Sequence, residues 1–372
     1  MGERQGTLED LVMLSPSFWI GRRVLLTGHT GFKGSWLLLW LQELGAQVWS
    51  YSLDPQPGPS LFTELARERA PGNCWEHCIG DLGDLDTLKA LVRRAQPEVV
   101  LHLAAQSLVR RSYEDPLGTW STNVIGSLHL LEALRPLTGN CSVVMVTTDK
   151  VYENREWMYG YREQDRLGGY DPYSASKAGL EIAISSWRSS FCGLASHQTP
   201  NLRIATARAG NVIGGGDWAA NRIVPDTIRS LSRSEPIPIR NPRSTRPWQH
   251  VLEPLGGYLL LAEKLSTDSS PPCDAFNFGP NLCSNRSVGE LVESILEYWP
   301  GEWVDQSEPT SPHEANLLHL QIDKAYHCLG WKPRWDYATT VARTVGWYRA
   351  VYEGASPLDC CLSDLSAYSE LM

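Results

Sequence analysis

The chain has 372 residues, 42% hydrophobic and 20% charged, which is room for one large domain or two of ordinary size and excludes a mainly disordered polymer. Its 33 Lys+Arg against 42 Asp+Glu leave a net charge of −9, arguing against a nucleic-acid or anionic-membrane surface, since both need a basic face. An anionic ligand is still allowed, because a local arginine cluster binds phosphate inside an acidic protein.

Residues 1–16 carry charge among short apolar pieces and read as a leader, not as a secretory signal. From Arg23 the run Val24-Leu25-Leu26-Thr27 predicts a strand, followed by a glycine turn and a helix from Ser35 that stops at Gly45. That helix is apolar nearly all round and is expected to be buried on more than one side, its tryptophans belonging to the core. A second strand, Ala46 to Tyr51, leads to Asp54 and a loop with Pro55, Pro57 and Pro59. Val99–Leu103 and Ser142–Thr147 are two further continuous apolar strands, with helical stretches around them. Strands apolar on both faces and alternating with helices indicate a parallel sheet covered on both sides.

From about residue 212 the rhythm changes: Gly214-Gly215-Gly216 and then Pro225, Pro236, Pro238, Pro242 and Pro247 interrupt it. A smaller mixed α+β lobe is expected there, with a helix near 338–352 and a last dozen residues that fray. The boundaries read as a leader 1–16, a mainly dinucleotide-binding domain 17–211, a mainly substrate-binding lobe 212–355 with some chain crossing back, and a tail 356–372. The fifteen Trp point to a core of large side chains.

Nine cysteines are scattered through the chain. Cys74 and Cys78 flank His77, and Cys360 adjoins Cys361, but no second pair completes a metal site, so free thiols and no metal are expected. The longest apolar run, Trp36–Leu41, is too short to span a bilayer. A cytoplasmic protein without membrane or nucleic-acid partners is the expectation.

The turn Gly28-His29-Thr30-Gly31-Phe32-Lys33-Gly34 lies between strand and helix, where its glycines let the backbone close on a pyrophosphate held at the helix N-terminus. Asp54 lies about 20 positions beyond the glycine turn, where an acidic residue binds a ribose diol. Lys33 can meet a 2′-phosphate, but Asp54 would repel that group, so NAD is expected as cofactor. Tyr173 and Lys177 stand four apart, on one helix face. A phenol beside an ammonium is expected to have a lowered pKa and to act as base toward an alcohol. Thr148 and Asp149, with Lys150, follow a strand at the sheet's carboxyl edge, where such folds bind ligands.

His102-Leu103-Ala104-Ala105-Gln106, together with the glycine turn and the Tyr173–Lys177 pair, resembles the extended short-chain dehydrogenase/reductase family. Longer stretches are similar to that family's CDP-glucose 4,6-dehydratase branch: Gly28–Trp36, Leu108–Tyr113, Thr148–Asn154, Arg208–Trp218, Ile239–Pro242 and Arg246–Val251. The resemblance covers about residues 17 to 350.

It implies an α/β fold: a Rossmann-type doubly wound parallel sheet with a smaller mixed α+β C-terminal substrate lobe. It implies NAD as cofactor, a nucleotide sugar (CDP-glucose) as substrate, and a homodimer joined through helices around 118–135 and 175–191. Tyr173 would take the C4 hydroxyl proton, Thr148 would hydrogen-bond the C4 oxygen, Lys177 would hold the nicotinamide ribose, and Asp149 would protonate the C6 hydroxyl as it leaves. The product would be a 4-keto-6-deoxy sugar. Lys150 stands where the wider hexose dehydratases carry a glutamate that serves as C5 base; it is either that base or a charge stabilising the enolate. Asp81 and Leu82 sit where the family binds adenine, Asp81 being otherwise a helix cap. Leu103, Ala104, Ala105 and Thr122 would also line the cofactor, with Thr122 and Asn123 otherwise buried polar groups. Asn211, Arg222 and Arg246 are the candidates for the diphosphate, with Gln106, Arg110 and His250 as further substrate contacts. Other nucleotide-sugar dehydratases, a 4-epimerase of the same fold, and a catalytically silent NAD sensor remain alternatives.

Overall fold

The computed structural model describes residues 14–68, 75–192, 201–307 and 317–371; Cys74 and most of the 1–16 leader lie outside them. A short helix, α1 (Pro16–Trp19), precedes β1 (Arg23–Thr27), α2 (Phe32–Glu43), β2 (Gln47–Ser52), α3 (Leu61–Glu68), β3 (Trp75–Ile79), α4 (Leu85–Ala95) and β4 (Val99–His102). Then come α5 (Val109–Glu114), α6 (Pro116–Trp120), a π-helical turn at Ser121–Gly126, α7 (Ser127–Leu134), β5 (Cys141–Val146), α8 (Pro172–Phe191) and β6 (Leu202–Ala209). The rest comprises β7 (Val212–Ile213), α9 (Ile223–Ser232), β8 (Ile237–Ile239), β9 (Thr245–Pro247), β10 (Gln249–His250), α10 (Leu252–Thr267) and β11 (Ala275–Phe278). It closes with β12 (Asn285–Ser287), α11 (Val288–Tyr298), β13 (Trp303–Asp305), α12 (Asp323–Leu329), α13 (Tyr337–Tyr352) and α14 (Pro357–Ser369).

Seven strands form one parallel sheet in the order β11-β6-β5-β4-β1-β2-β3. The order reverses between β1 and β4, which opens a crevice at the carboxyl edge where folds of this kind take ligands. Successive strand residues feed opposite faces: Val24 and Leu26 join the core with α2 and α10, while Leu25 packs with Leu88, Leu130 and Leu180 from α4, α7 and α8. The fold is a doubly wound, Rossmann-type α/β sheet.

Leu37 to Leu41 of α2 are all buried, as is Trp36, whose Nε1 donates to the Gly215 carbonyl at 2.9 Å and joins the helix to the C-terminal lobe. The helix closes by a Schellman pattern: Gly45 (φ +76°) donates to Gln42 and Ala46 to Leu41. Tryptophans 19, 36, 40, 248, 331, 335 and 347 are buried.

The C-terminal lobe is built from three two-stranded pieces, β7 with β10, β9 with β12, and β8 with β13, packed with α9, α11 and α13. Where fraying is expected, residues 361–369 instead belong to α14. Cys361, Leu365 and Tyr368 recur at helical spacing on the inner face of α14, and Tyr368 Oη donates to Glu253 Oε2 at 2.8 Å. At the other end, Glu263 accepts from Trp19 Nε1 at 2.6 Å and from the Ser15 amide at 3.0 Å. Among the described residues, no helix is long and apolar enough to cross a membrane, and no three His, Cys, Asp or Glu side chains gather to hold a metal ion.

Candidate active site

Gly28 adopts φ +80°, and a Cβ there would lie 2.6 Å from the Ala104 amide nitrogen; at Gly34 it would lie 2.0 Å from the Gly28 carbonyl oxygen. Only glycine lets this turn interlock with the end of β4 and with itself. Gly31 caps α2 without a side-chain acceptor, so the first-turn amides stay open for an anion. Thr27 Oγ1 lies 2.7 Å from His102 Nδ1, and Ala104 N donates to the same hydroxyl at 3.3 Å, which binds the β1 and β4 ends together. Thr30 Oγ1 donates to the Leu53 carbonyl at 2.9 Å, leaving Asp54 exposed just beyond β2. Leu103, Ala104 and Ala105, all half-buried, complete the rim, and Phe32 sits beside Gly214. This cradle fits the pyrophosphate and ribose of a dinucleotide.

Not every residue of the turn faces that cradle. The His29 ring is fully buried, 2.6 Å from His77 Nδ1 and edge-on to Phe62 and Trp75. Burial drives its pKa down to about 3, so it is a neutral core group whose backbone alone belongs to the turn. Asp81 takes Gly83 N at 2.7 Å, and its carbonyl takes Tyr51 Oη at 2.7 Å. The cap of α4 is Asp84, which accepts from Thr87 N at 3.0 Å, so the alternative reading of Asp81 as the cap does not hold. Leu82 is buried against Gly126.

At the tip of β5 the chain enters a short 3-10 turn, Asp149–Val151. Thr148 Oγ1 donates to Asp149 Oδ1 at 3.0 Å, and Lys150 Nζ stands 3.7 Å from the same oxygen. Asp149 is buried and its Oδ2 has no hydrogen-bond partner. Tyr173 lies in the first turn of α8, which begins at Pro172 behind an Asp171 cap, and its hydroxyl faces Thr148.

The phenol is not shifted down as its spacing to Lys177 suggests. Burial pushes Tyr173 up to about 12, against the Thr148 hydroxyl, which pulls it the other way. Lys177 Nζ instead donates to the Val146 carbonyl at 3.2 Å, and burial brings its own pKa down to about 8. The two share a helix face, but the lysine stem runs back to the β5 backbone.

Beneath this edge is a network that no spacing announced. Arg208 forks onto Glu181, with Nε to Oε1 at 3.0 Å and Nη2 to Oε2 at 2.9 Å, and Thr147 and Thr206 donate to the same carboxylate. Burial pushes Glu181 up, yet these donors outweigh it and hold the carboxyl below its usual range. Asn123, in the π-helical turn beside half-buried Thr122, donates to Ser176 Oγ at 2.9 Å and accepts from Gln106 N at 2.9 Å, fixing the β4 loop against α8. The only signal for these groups is polar side chains at core positions of otherwise apolar elements.

Around Asp149 the structure gathers cations. Burial brings Lys33 down to about 8, with Arg222 and Lys150 adding to the fall and Asp149 opposing it. Lys33 thus feels the charges gathered at the β5 tip. Arg222 pairs with Asp217 at 2.9 Å, and Asn211 keeps a buried Oδ1 without a partner. Arg246, mostly buried, donates to the Thr245 carbonyl at 2.8 Å.

Two candidate substrate residues are used elsewhere. Gln106 spends its side chain on the loop: Nε2 donates to Leu108 O and Thr119 Oγ1, and Oε1 accepts from Leu108 N. His250 is fully buried, edge-on to Trp335 at 4.7 Å and Trp36 at 6.0 Å, with its pKa driven down to about 3 by burial. It is a core histidine, placed there by the pairing of β10 with β7. Arg110 is exposed on α5.

A family model described as GDP-mannose 4,6 dehydratase matches residues 25–344. The chain belongs to this family. Within it, the chain is 46% identical over 358 residues to a CDP-glucose 4,6-dehydratase of Salmonella typhimurium, covering 96% of this chain and 98% of that one. A dTDP-glucose 4,6-dehydratase of Streptomyces antibioticus is 29% identical, over 88% and 92% of the two chains. Among solved structures, an epimerase from Methanothermobacter thermautotrophicus superposes with TM-score 0.76 at 22% identity, over 91% of this chain and 95% of its own. A dTDP-glucose 4,6-dehydratase from Streptomyces venezuelae, solved with NAD, superposes with TM-score 0.75 at 24% identity, over 90% and 99%. At such identities these two structures speak for the shared fold.

Proposed function

We propose that this family member is a CDP-glucose 4,6-dehydratase, converting CDP-glucose to CDP-4-keto-6-deoxyglucose and water. The observation that carries the reading is the β5 tip, where Thr148, Asp149 and Lys150 stand against Tyr173 in a chain 46% identical to a curated enzyme of that activity.

A hexose C5–H is not acidic, so water loss across C5 and C6 first requires a ketone at C4. Tyr173 takes the C4 hydroxyl proton and Thr148 hydrogen-bonds the C4 oxygen. NAD, when bound, supplies the hydride acceptor for C4 and the donor for C6. Gly28, His29, Thr30, Gly31, Phe32 and Gly34 hold its pyrophosphate through their backbone, Asp54 a ribose diol, and Asp81 with Leu82 the adenine. Leu103, Ala104, Ala105, Thr122 and Lys177 line the nicotinamide side. Asp149 then gives its proton to the departing C6 hydroxyl. The C5 proton passes to Lys150 as a neutral amine, or Lys150 joins Lys33 in placing positive charge where the enolate forms while another base takes that proton; Arg222, Arg246 and Asn211 hold the diphosphate.

A homodimer is part of this proposal, and exposed apolar residues support it: Leu117 of α6 is 82% exposed and Ile182 of α8 is 60% exposed, with Trp120 and Ile125 between them in sequence. We place the enzyme in the cytoplasm and read residues 17–211 and 212–355 as its cofactor and substrate parts.

The test is incubation with NAD and, separately, CDP-glucose, UDP-glucose, dTDP-glucose and GDP-mannose, followed by mass spectrometry. Loss of one water from CDP-glucose alone is expected. Loss from a different nucleotide sugar would keep the chemistry and overturn the cytidine assignment, and a C4 epimer without water loss would make the protein an epimerase.

A further inference from the structure

Asp217 is buried, and among the described residues its carboxylate has one basic partner: Arg222 Nη1 donates to Oδ2 at 2.9 Å. The other oxygen, Oδ1, accepts from the Ala219 amide at 3.1 Å. The turn that carries both residues is pinned from several sides. Tyr348 of α13, also buried, donates its hydroxyl to the Asp217 carbonyl at 2.7 Å and stands edge-on to Trp218 at 5.3 Å. Arg229 of α9 donates to the Trp218 carbonyl at 3.1 Å. Asn221 takes a left-handed φ of +65°, and its Oδ1 accepts from Arg240 at 3.2 Å. Arg222 is thus delivered to the head of α9 from a fixed backbone.

Arg222 keeps donors beyond the one that meets Asp217. Nε and Nη2 make no hydrogen bond among the described residues, and the side chain is 36% exposed. An arginine held at one nitrogen presents the others to an anion as an oriented fork. The segment leading to the pair starts at the active site. A Cβ at Gly210 would lie 2.8 Å from Asp149 Oδ2, and one at Gly214 would lie 3.4 Å from Phe32 Cζ of the cofactor turn.

A buried carboxylate beside a diphosphate site runs against plain charge matching, because it repels the ligand. Orientation works the other way. A free arginine side chain loses its rotamer freedom when it grips an anion, whereas one already held does not. Resting on the reading that Arg222 holds the substrate's diphosphate, we propose that Asp217 is a positioning residue, gripping Nη1 so that Nε and Nη2 meet the phosphate oxygens. Asp217 touches no substrate and takes no part in oxidation or elimination, so it acts on affinity and not on turnover.

The test is Asp217→Asn in the full chain saturated with NAD. Asparagine offers one acceptor oxygen where Arg222 and the Ala219 amide need two, at nearly unchanged volume. The expected result is a KM for CDP-glucose about tenfold higher with kcat within about twofold of the parent, and an affinity for CDP lower by the same factor. NAD affinity, measured separately, stays as in the parent. In an Arg222→Gln background the same change moves CDP affinity by less than about twofold, because the group it acts through is gone. Tighter CDP binding in Asp217→Asn, equal weakening of CDP and NAD, or full additivity with Arg222→Gln overturns the role of Asp217. Inorganic pyrophosphate is titrated in parallel, since it carries neither base nor sugar. A parent protein that removes no water from any nucleotide sugar overturns the dehydratase reading instead, and the pyrophosphate titrations of the same variants still decide whether Asp217 acts through Arg222.

Discussion

Arg208 grips Glu181 with two parallel hydrogen bonds of 2.9 and 3.0 Å, both side chains almost wholly buried under the strand end that carries Thr148 and Asp149. Glu181 lies one helical turn beyond Lys177, so the pair ties the catalytic helix α8 to β6 from below. An ion pair this deep adds little net stability over a well-packed apolar pair, but it cannot lose one member cheaply.

Arg208→Met is accordingly expected to destabilise the protein by about 3–5 kcal/mol, because it strands the Glu181 carboxylate. The double variant with Glu181→Leu should recover much of that loss. Urea unfolding of both settles it, and equal destabilisation by the single and double changes would contradict the account.

Stability also depends on pH through three buried carboxyls. Burial pushes Glu253, Glu263 and Asp364 each up to about 7. A carboxyl whose pKa is higher in the fold than in the open chain favours folding while protonated. That contribution is complete below the ordinary carboxylate range and is lost as pH rises through about 7. The melting temperature should therefore fall from pH 5 to pH 8, and Glu253→Gln should flatten the slope. A slope unchanged in that variant would remove Glu253 from the explanation.

Two substitutions, one on α8 and one at the β5 tip, should separate the steps of the proposed reaction. Tyr173→Phe removes the proposed base and is expected to cost about 100-fold or more in C4 oxidation. Asp149→Asn should spare that oxidation and stop water loss, so that bound NADH accumulates and is seen by its absorbance. Loss of both steps in Asp149→Asn would deny Asp149 the role of acid.

The exposed apolar strip on α6, the following π-helical turn and α8 makes a prediction about assembly. Charges placed at Ile125 and Ile182, by I125E with I182E, should turn a dimer into a folded monomer in sedimentation. A parent protein that is already monomeric, or a variant that stays dimeric, would remove this face as the interface.

Much of the molecule is legible before any coordinates, for physical reasons. Val24–Leu26, Val99–Leu101 and Val143–Val146 are apolar runs because their strands are covered on both faces, and runs of that kind declare themselves. β3 does not, because Trp75-Glu76-His77-Cys78-Ile79 is a largely exposed edge strand. β6 is also hidden, because its core positions include Thr206 and Arg208, tolerated through Glu181 and, for Arg208, also through Tyr152 and the Glu163 carbonyl. At the site, short spacings bring out Thr148 with Asp149 and Tyr173 with Lys177, each pair set by local chain geometry and the two brought together by packing. The burial of Lys33 among the charges of the β5 tip, the loss of His250 to the core and the capture of Gln106 by its own loop are products of tertiary packing, and no local pattern carries them.

The central claim, oxidation at C4 followed by water loss and hydride return at C6, is tested most directly with CDP-glucose carrying deuterium at C4. The account predicts a product one water lighter with the deuterium at C6, read by NMR and mass spectrometry. Deuterium retained at C4, or lost to solvent without dehydration, would contradict it.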